Sequence, residues 1–379
     1  MGIRRLGTDV FSAGLDRIVA LYQEGHEVIV SFSAGKDSGV VLELAILAAK
    51  MTGRLPVKVV MRDEEIMFPG TFEYSERVAA RKDEVEFHWQ IANQPVVNVF
   101  NRRAPYFWVF DPELKPEQWV RQPPSYAYQI PEKHIQGMVT RDRFPASPGK
   151  SLVTMLGMRA SESINRKLGI HSSKGYITKP TPWGARMARP IYDWDDSDVW
   201  RAIRENRWDY NNAYDVYTRF GISRRLMRIA PPTLTAAGVG HLGLAAKAWP
   251  KWFNKVCERL EGVRTAAQFG RHAVEPIRRQ GEQWSETFQR ECVDRAPEWI
   301  ATRAIKARDE MVQTHSKHSA QPFPEVASCP KCGLLSSWKA LSKVAYMGDP
   351  FGIKTGLTPI EPEFFRPGAG TWSGGKPTW

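Results

Sequence analysis

Residues 27 to 44, Glu-Val-Ile-Val-Ser-Phe-Ser-Ala-Gly-Lys-Asp-Ser-Gly-Val-Val-Leu-Glu-Leu, set a loop of small residues between a buried strand and a helix. Val28, Ile29 and Val30 are β-branched and continuously apolar, as a parallel strand covered on both faces requires. Ser33, Ala34 and Gly35 carry little bulk, so their amides can approach an anion. The helix that follows points the positive end of its dipole, ~0.5 of a charge, at the same place. Ser31, Ser33 and Ser38 add hydroxyls, and Lys36 adds a cation. Asp37 is the odd member, because a carboxylate beside phosphates is repelled unless a divalent cation lies between them. The pattern therefore implies a magnesium nucleotide.

The loop does not have the spacing of a Walker sequence. It resembles the pyrophosphate loop, Ser-x-Gly-Gly-x-Asp-Ser, of the N-type ATP pyrophosphatases, or PP-loop proteins. Ser-Phe-Ser-Ala-Gly-Lys-Asp-Ser is similar to the version in the phosphoadenosine-phosphosulfate reductase and small-subunit ATP sulfurylase family. Ala34 stands where that family carries its first glycine, and alanine tolerates a positive φ poorly. A serine- and glycine-rich turn without a ligand is the plainer reading of these residues alone.

Three further segments match in family order. Residues 56 to 61 read as a second strand, with Asp63, Glu64 and Glu65 at its carboxyl end, the edge where open α/β sheets bind ligands. The resemblance implies a nucleotide contact at Asp63, whereas Glu64 and Glu65 suit a solvated loop. Leu156-Gly157-Met158-Arg159-Ala160-Ser161-Glu162-Ser163, with Arg166 behind it, resembles the family's Gly-x-Arg-x-x-Glu/Gln-Ser-x-x-Arg element. The resemblance implies that Arg159 and Arg166 engage phosphate or a bound oxyanion, with Glu162 and Ser163 beside them. A planar, permanently charged guanidinium suits that task. Residues 190 to 200, Pro-Ile-Tyr-Asp-Trp-Asp-Asp-Ser-Asp-Val-Trp, are similar to another family segment that reads as scaffold. In it Asp195 or Asp196 caps a helix that buries Val199, Trp200 and Ile203. Tyr210 to Asp215 continues the likeness as scaffold, and Arg224, Arg225 and Arg228 form a candidate anion-facing cluster.

The fold so implied is α/β: a doubly wound, mostly parallel sheet of the adenine nucleotide alpha hydrolase-like kind, with a helical C-terminal extension. Residues 1–230 form the nucleotide-binding domain, with a long insertion at about 93–150. Residues 231–312 form the extension, 313–350 a Cys-x-x-Cys segment, and 351–379 a tail. In the extension the periodicity predicts helices over Ala245 to Leu260, Val274 to Gln289 and Trp299 to Met311. In the insertion Trp108, Trp119, Tyr126, Tyr128 and His134 are candidates to line a channel or simply to pack.

The chain of 379 residues has a net charge of +12, which suits nucleotide phosphates, sulfate or nucleic acid alike. Its basic runs, Arg102-Arg103, Arg224-Arg225 and Arg278-Arg279, are short. Of the 14 tryptophans, Trp108, Trp119 and Trp183 lie in basic or proline-rich surroundings where stacking on bases is conceivable, although tryptophan more often fills cores. No run reaches transmembrane length and no signal-peptide pattern opens the chain, so a cytoplasmic protein without a membrane is expected.

Four cysteines do not suggest a disulfide scaffold. Cys329-Pro-Lys-Cys332-Gly suits a metal-binding turn, which His315 and His318 would complete as a tetrahedral zinc site. An iron–sulfur cluster recruiting Cys257 and Cys292, a redox dithiol and unliganded cysteines are the alternatives. The Glu-Cys-Gly-x-His motif of the reductases is absent.

The resemblance implies ATP, or phosphoadenylyl sulfate, as ligand and Lys36, Asp37 and Arg159 as the catalytic set. The expected reaction is cleavage between the α- and β-phosphates to adenylate an acceptor in sulfur transfer. Within the family the chain looks most like the immunoglobulin-binding regulator A type, which implies a ParB-like or other sulfur-transfer partner and kinship with DNA phosphorothioation subunits. A nucleotide-sensing regulator or nucleic-acid adaptor without turnover, and a phosphoadenylyl-sulfate reductase or sulfotransferase, are the rival functions.

Overall fold

Val28, Ile29 and Val30 are at most 4 % exposed, so the strand they occupy has no wet face. The computed structural model describes residues 9–130, 136–172, 175–181, 184–224, 227, 229 and 239–366. His134, Trp183, Arg225, Arg228 and the closing stretch beyond 366 lie outside the described residues. In chain order the strands are β1 (Glu27–Ser31), β2 (Val57–Asp63), β3 (Val85–Ala92), β4 (Pro95–Val97), β5 (Tyr106–Trp108), β6 (Tyr128–Ile130), β7 (Leu152–Leu156) and β8 (Ala185–Ala188). A six-stranded sheet runs β6-β3-β2-β1-β7-β8, and every pairing in it is parallel.

Helices α1 (Val10–Gln23), α2 (Lys36–Thr52), α3 (Pro69–Ala79), α4 (Gln136–Arg143), α5 (Ile164–Ser172), α6 (Asp196–Glu205) and α7 (Ala213–Arg219) share a compact unit with this sheet, built from residues up to 93 and from 110–229. Strand alternation sends Val28, Val30, Val59 and Met61 into a core with Leu21 of α1 and Leu42 of α2. It sends Ile29, Val60 and Leu152 to the opposite face, against Phe144. The sheet is thus covered on both sides, the doubly wound α/β architecture that the sequence implies. α2 is buried on nearly its whole circumference and stops at Gly53, whose left-handed backbone (φ +67°) returns its amide to the Ala49 carbonyl.

The strand order fixes where a ligand can enter. From β1 the chain steps outward through β2 and β3 to β6, then returns to place β7 on the other side of β1. The connections leaving β1 and β7 therefore diverge, which opens a crevice at the carboxyl ends of these two strands.

A second unit comprises residues 94–109 and 230 onward. Its described helices are α8 (Leu242–Ala248), α9 (Pro250–Arg259), α10 (Val263–Phe269), α11 (Trp284–Phe288, continued by a π-helical turn over Gln289–Asp294), α12 (Glu298–Ser316) and α13 (Trp338–Ala345). The helix expected over 245–260 is split, because Pro250 has no amide to donate and starts a new helix instead. The one expected from Val274 begins only at Trp284, since Pro276 and Gly281 (φ +78°) precede it.

The β4–β5 hairpin, taken from sequence as insertion, belongs to this unit. The Arg259 guanidinium donates to the Trp108 carbonyl (2.6 Å), the Trp299 indole to the Arg102 carbonyl (2.9 Å) and the Tyr106 hydroxyl to the Ile360 carbonyl (3.3 Å). Arg102 is engaged within the unit: its guanidinium donates to the Glu291 carbonyl (2.8 Å) and lies 4.1 Å from the Tyr346 ring centre. Trp108 is 6 % exposed, and the Trp119 indole donates to the Asp111 carbonyl (3.0 Å). Trp108 is therefore packed, while Trp119 is half-buried with its indole edge held by the chain. No helix among the described residues is long and apolar enough to cross a membrane.

Candidate functional site

The loop after β1 turns through a left-handed residue, a conformation for which glycine is the usual choice. Ala34 has φ +55° and is fully buried, so alanine here occupies the left-handed region despite its Cβ. Asn211 holds it there, donating from Nδ2 to the Ala34 carbonyl (3.1 Å). The Ser33 amide donates to Ser38 Oγ (3.2 Å), and the Ser38 hydroxyl donates to the Gly35 carbonyl (3.0 Å). The Lys36 amide donates to the Tyr214 hydroxyl (3.1 Å), a phenol whose pKa burial pushes well above the ordinary value.

The first turn of α2 is short of acceptors. Gly35, its N-cap, supplies no side chain to cap it. The amides of Gly35, Asp37 and Ser38 donate to no acceptor among the described residues. Buried helix starts ordinarily find a partner for such groups, and an anion is the one that suits the dipole. Gly157, the first residue after β7, packs against the same turn so closely that only a residue without a side chain fits. A Cβ built there would lie 2.5 Å from the Ser38 nitrogen and 2.6 Å from the Asp37 carbonyl carbon.

Charged side chains surround this turn. Lys36 and Arg159 are 6 % and 4 % exposed. Lys36 Nζ lies 2.9 Å from Asp37 Oδ2 and 3.1 Å from Asp196 Oδ1. Arg159 Nε donates to Asp37 Oδ1 (2.5 Å), lies 3.8 Å from Glu162 Oε1, and its Nη2 is 3.6 Å from Asp196 Oδ1. Arg159 also donates to the Ser161 hydroxyl (3.1 Å). Arg166 pairs with Glu162 one helical turn away. Three cations, Lys36, Arg159 and Arg166, thus face three carboxylates, Asp37, Glu162 and Asp196, and the cluster is electrically balanced.

The crevice therefore brings together Ser33, Ala34, Gly35, Lys36, Asp37, Ser38, Arg159 and, through their ion pairs, Glu162 and Arg166. Ser31 closes β1 in register with Val60 and Leu156, and its hydroxyl makes no bond among the described residues. Ser163 Oγ accepts from the Arg166 amide (3.2 Å), which is a helix-capping role.

Asp63 departs from its expected nucleotide contact. It is fully buried, accepts from the Trp89 indole (2.8 Å) and the Glu65 amide (2.9 Å), and pairs with Arg121. Both of its oxygens are thus engaged by the scaffold. Glu64 and Glu65 are not a solvated loop either. Glu65 is fully buried, at φ +60°, and accepts the amides of Phe110 (2.7 Å) and Val120 (3.1 Å). Burial pushes the Glu64 carboxyl above its ordinary range.

Three contributors were read from sequence only as scaffold: Asp196, Asn211 and Tyr214. Asp195 does cap α6, its amide donating to Asp198 Oδ2 (2.7 Å), while the next residue, Asp196, turns to Lys36. The available signal was the recurrence of Asp196 and of Asn211 to Tyr214 within matched segments, which by itself does not separate a loop support from a core residue.

The metal ligands expected in the second unit are brought together in part. Ligand atoms of His315, Cys329 and Cys332 all lie within 4.8 Å of one another. His318 is exposed and outside this group. Cys292 is buried in an apolar cluster, its thiol donating to the Ser342 carbonyl (3.5 Å) and pushed up to about 12 by burial. Neither Cys292 nor Cys257 joins the group, so the cluster alternative that recruits them is not what the fold assembles.

No protein-family model matches the chain. The uncharacterized protein YbdN of Escherichia coli (strain K12) is 28% identical over 285 residues, spanning 70% of this chain and 69% of its own length. Among solved structures, FMN adenylyltransferase from Candida glabrata, in complex with FMN and an ATP analogue, aligns with TM-score 0.35 and 11% identity over 54% of this chain. That alignment spans 58% of the adenylyltransferase, less than two thirds of its length. Phosphoadenylyl-sulfate reductase from Candida auris aligns with TM-score 0.33 and 14% identity over 57% of this chain and 94% of its own. The U34-tRNA thiolase NcsA from Methanococcus maripaludis, with its [4Fe-4S] cluster, aligns with TM-score 0.29 and 12% identity over 69% of this chain and 80% of its own.

Proposed function

We propose that this chain is a PP-loop enzyme that binds an adenine nucleotide and cleaves ATP between its α- and β-phosphates, adenylating an acceptor in sulfur transfer. The observation that carries the reading is the row of amides at Gly35, Asp37 and Ser38 that find no acceptor among the described residues, set at the strand-order reversal between two buried cations. In this reading those amides donate to the β- and γ-phosphate oxygens. Lys36 and Arg159 exchange their carboxylate partners for phosphate oxygens, and Arg159 stabilises the charge that develops as the acceptor attacks the α-phosphorus. No side-chain nucleophile is needed, because positioning and charge neutralisation supply the rate.

The balanced cluster cannot by itself neutralise a triphosphate. A magnesium ion, when bound, would supply that charge, and Asp37 fits as its protein ligand: Lys36 and Arg159 take one bond on each of its oxygens, which leaves further lone pairs.

Incubation of the purified protein with α-labelled ATP, magnesium and candidate acceptors, including DNA, should release pyrophosphate and leave label on the acceptor, and Asp37→Asn should abolish both. Absence of nucleotide binding, or an Asp37→Asn variant as active as the wild type, overturns the reading. Nucleotide-dependent thermal stabilisation without turnover, joined to salt-sensitive DNA binding, would favour a nucleotide-sensing regulator or adaptor instead.

A further inference from the structure

The second unit holds a group of soft ligands that plays no part in the nucleotide reading. α12 ends at Ser316, and His315 on its last turn is 4 % exposed. The chain returns at Cys329 and Cys332, both half-buried, before α13 begins at Trp338. Between the cysteines the backbone closes a tight turn, the Cys332 amide donating to the Cys329 carbonyl (3.1 Å), and Gly333 follows at φ +92°. Ser336 secures the turn from outside. Its hydroxyl donates to the Cys329 carbonyl (3.1 Å) and its carbonyl accepts the Cys329 amide (3.3 Å).

The histidine is oriented as a metal ligand should be. Its Nε2 lies 3.1 Å from the Gln321 carbonyl, which only accepts, so the proton sits on Nε2 and Nδ1 carries the acceptor lone pair. That lone pair faces Cys332 Sγ at 3.5 Å. A tetrahedral zinc with arms of about 2.3 Å to sulfur and 2.0–2.1 Å to nitrogen has a nitrogen–sulfur edge of ~3.5 Å and a sulfur–sulfur edge of ~3.8 Å. The observed pair matches the first edge, and the whole group spans no more than 4.8 Å. Phe323 stands edge-on to the His315 ring (centroids 5.6 Å apart) and packs in turn on Trp338 (5.3 Å), so an apolar wall backs the ligands.

We propose that His315 Nδ1, Cys329 Sγ and Cys332 Sγ bind one zinc ion as its three protein ligands, clamping the end of α12 to the turn before α13. Binding releases both thiol protons to solvent and changes no oxidation state. The fourth position goes to water or another small donor, since His318, the residue that spacing alone suggests, is exposed outside the group. The assignment is independent of the nucleotide site.

The full chain, expressed in zinc-supplemented medium, should carry a single zinc per molecule. X-ray absorption on that wild-type protein should show a sulfur shell from two thiolates at about 2.3 Å and a nearer nitrogen or oxygen shell. After replacement with cobalt(II), a thiolate-to-metal charge-transfer band should appear. Cys329→Ser, Cys332→Ser and His315→Ala should each weaken binding more than ~100-fold, beyond the ~10–100-fold that loss of an outer-shell partner costs, while His318→Ala keeps its metal. A wild-type protein that stays metal-free, holds iron and sulfide, or shows a four-sulfur shell overturns the proposal. So does loss of zinc from His318→Ala equal to that from His315→Ala.

Discussion

Replacing Gly157 by alanine tests the crevice at its narrowest point. The added Cβ meets backbone, not a side chain that can swing away: 2.5 Å to the Ser38 nitrogen and 2.6 Å to the Asp37 carbonyl carbon. Ordinary contact begins near 3.4 Å, so the turn after β7 and the start of α2 must separate by roughly 0.9 Å at the closest atom pair. Overpacking of this size typically costs about 1–3 kcal/mol of stability. Binding should suffer more. Moving the Asp37 and Ser38 amides by that distance takes two hydrogen bonds to an ionised acceptor out of range, each worth about 1.5–3 kcal/mol. At about 1.4 kcal/mol per tenfold, losing both weakens a magnesium nucleotide by at least about a hundredfold.

Titration calorimetry with a non-hydrolysable ATP analogue and magnesium measures this directly, alongside thermal melting of the same samples. Gly169→Ala is the control. That glycine is exposed within α5 and a Cβ there meets nothing within 4 Å, so the change should gain about 0.5–1 kcal/mol and leave binding untouched. If Gly157→Ala folds and binds the analogue as well as Gly169→Ala does, the amides at the start of α2 do not hold phosphate.

Asp196→Asn should tighten inorganic pyrophosphate by roughly fivefold, because it removes a carboxylate 3.1 Å from Lys36 and leaves the cluster one positive charge in excess; a pair with one partner at the surface is worth about 1 kcal/mol. Unchanged or weaker binding in a pyrophosphate titration would show that Asp196 does not compete with the anion. In the second unit Arg290 donates to both oxygens of Glu282 (2.8 and 2.7 Å) and holds its carboxyl down at about 2 from an ordinary 4.5. A lowered folded pKa stabilises above the unfolded value, so this contribution is complete above about pH 4.5 and disappears as pH falls through about 2. Carboxyl-carbon NMR should place the Glu282 midpoint there and show it rise toward the ordinary value in Arg290→Leu, with the Arg279 amide and the Thr287 hydroxyl still bonded to the carboxylate; a wild-type midpoint near 4.5 contradicts the pairing.

Much of the sheet and the loop was legible because their signals are local. The apolar runs of β1, β2 and β7 announce buried parallel strands, and Ser33 to Ser38 announces an anion-facing turn without reference to anything distant. What sequence misplaced depends on pairings made across long separations. Asp63 reads as a free carboxylate at a sheet edge, but Trp89 and Arg121, 26 and 58 positions away, claim its oxygens. Asp196 reads as a helix cap, and only the approach of α6 to α2 turns it toward Lys36. The same holds for the proposed zinc ligands. His315 and His318 are equivalent by spacing, yet His315 lies on the last turn of α12 and faces Cys332, while His318 lies beyond the helix end and is exposed.

Ala34 shows how such supports hold a left-handed turn without a glycine at its centre. A left-handed backbone costs a non-glycine residue about 1–2 kcal/mol. Against that, alanine restricts the unfolded chain by about 0.4–1 kcal/mol relative to glycine, and burying its methyl contributes about 0.8 kcal/mol more. Ala34 is fully buried, so both offsets apply and the balance lies near zero. The conformation is then chosen by its neighbours. Asn211 bonds the Ala34 carbonyl and also donates to Thr71 Oγ1 (3.1 Å), and Tyr214 receives the Lys36 amide two residues on. With both ends of the turn fixed by residues some 180 positions away, the identity of the residue at its centre matters less than the buried polar side chains that grip it.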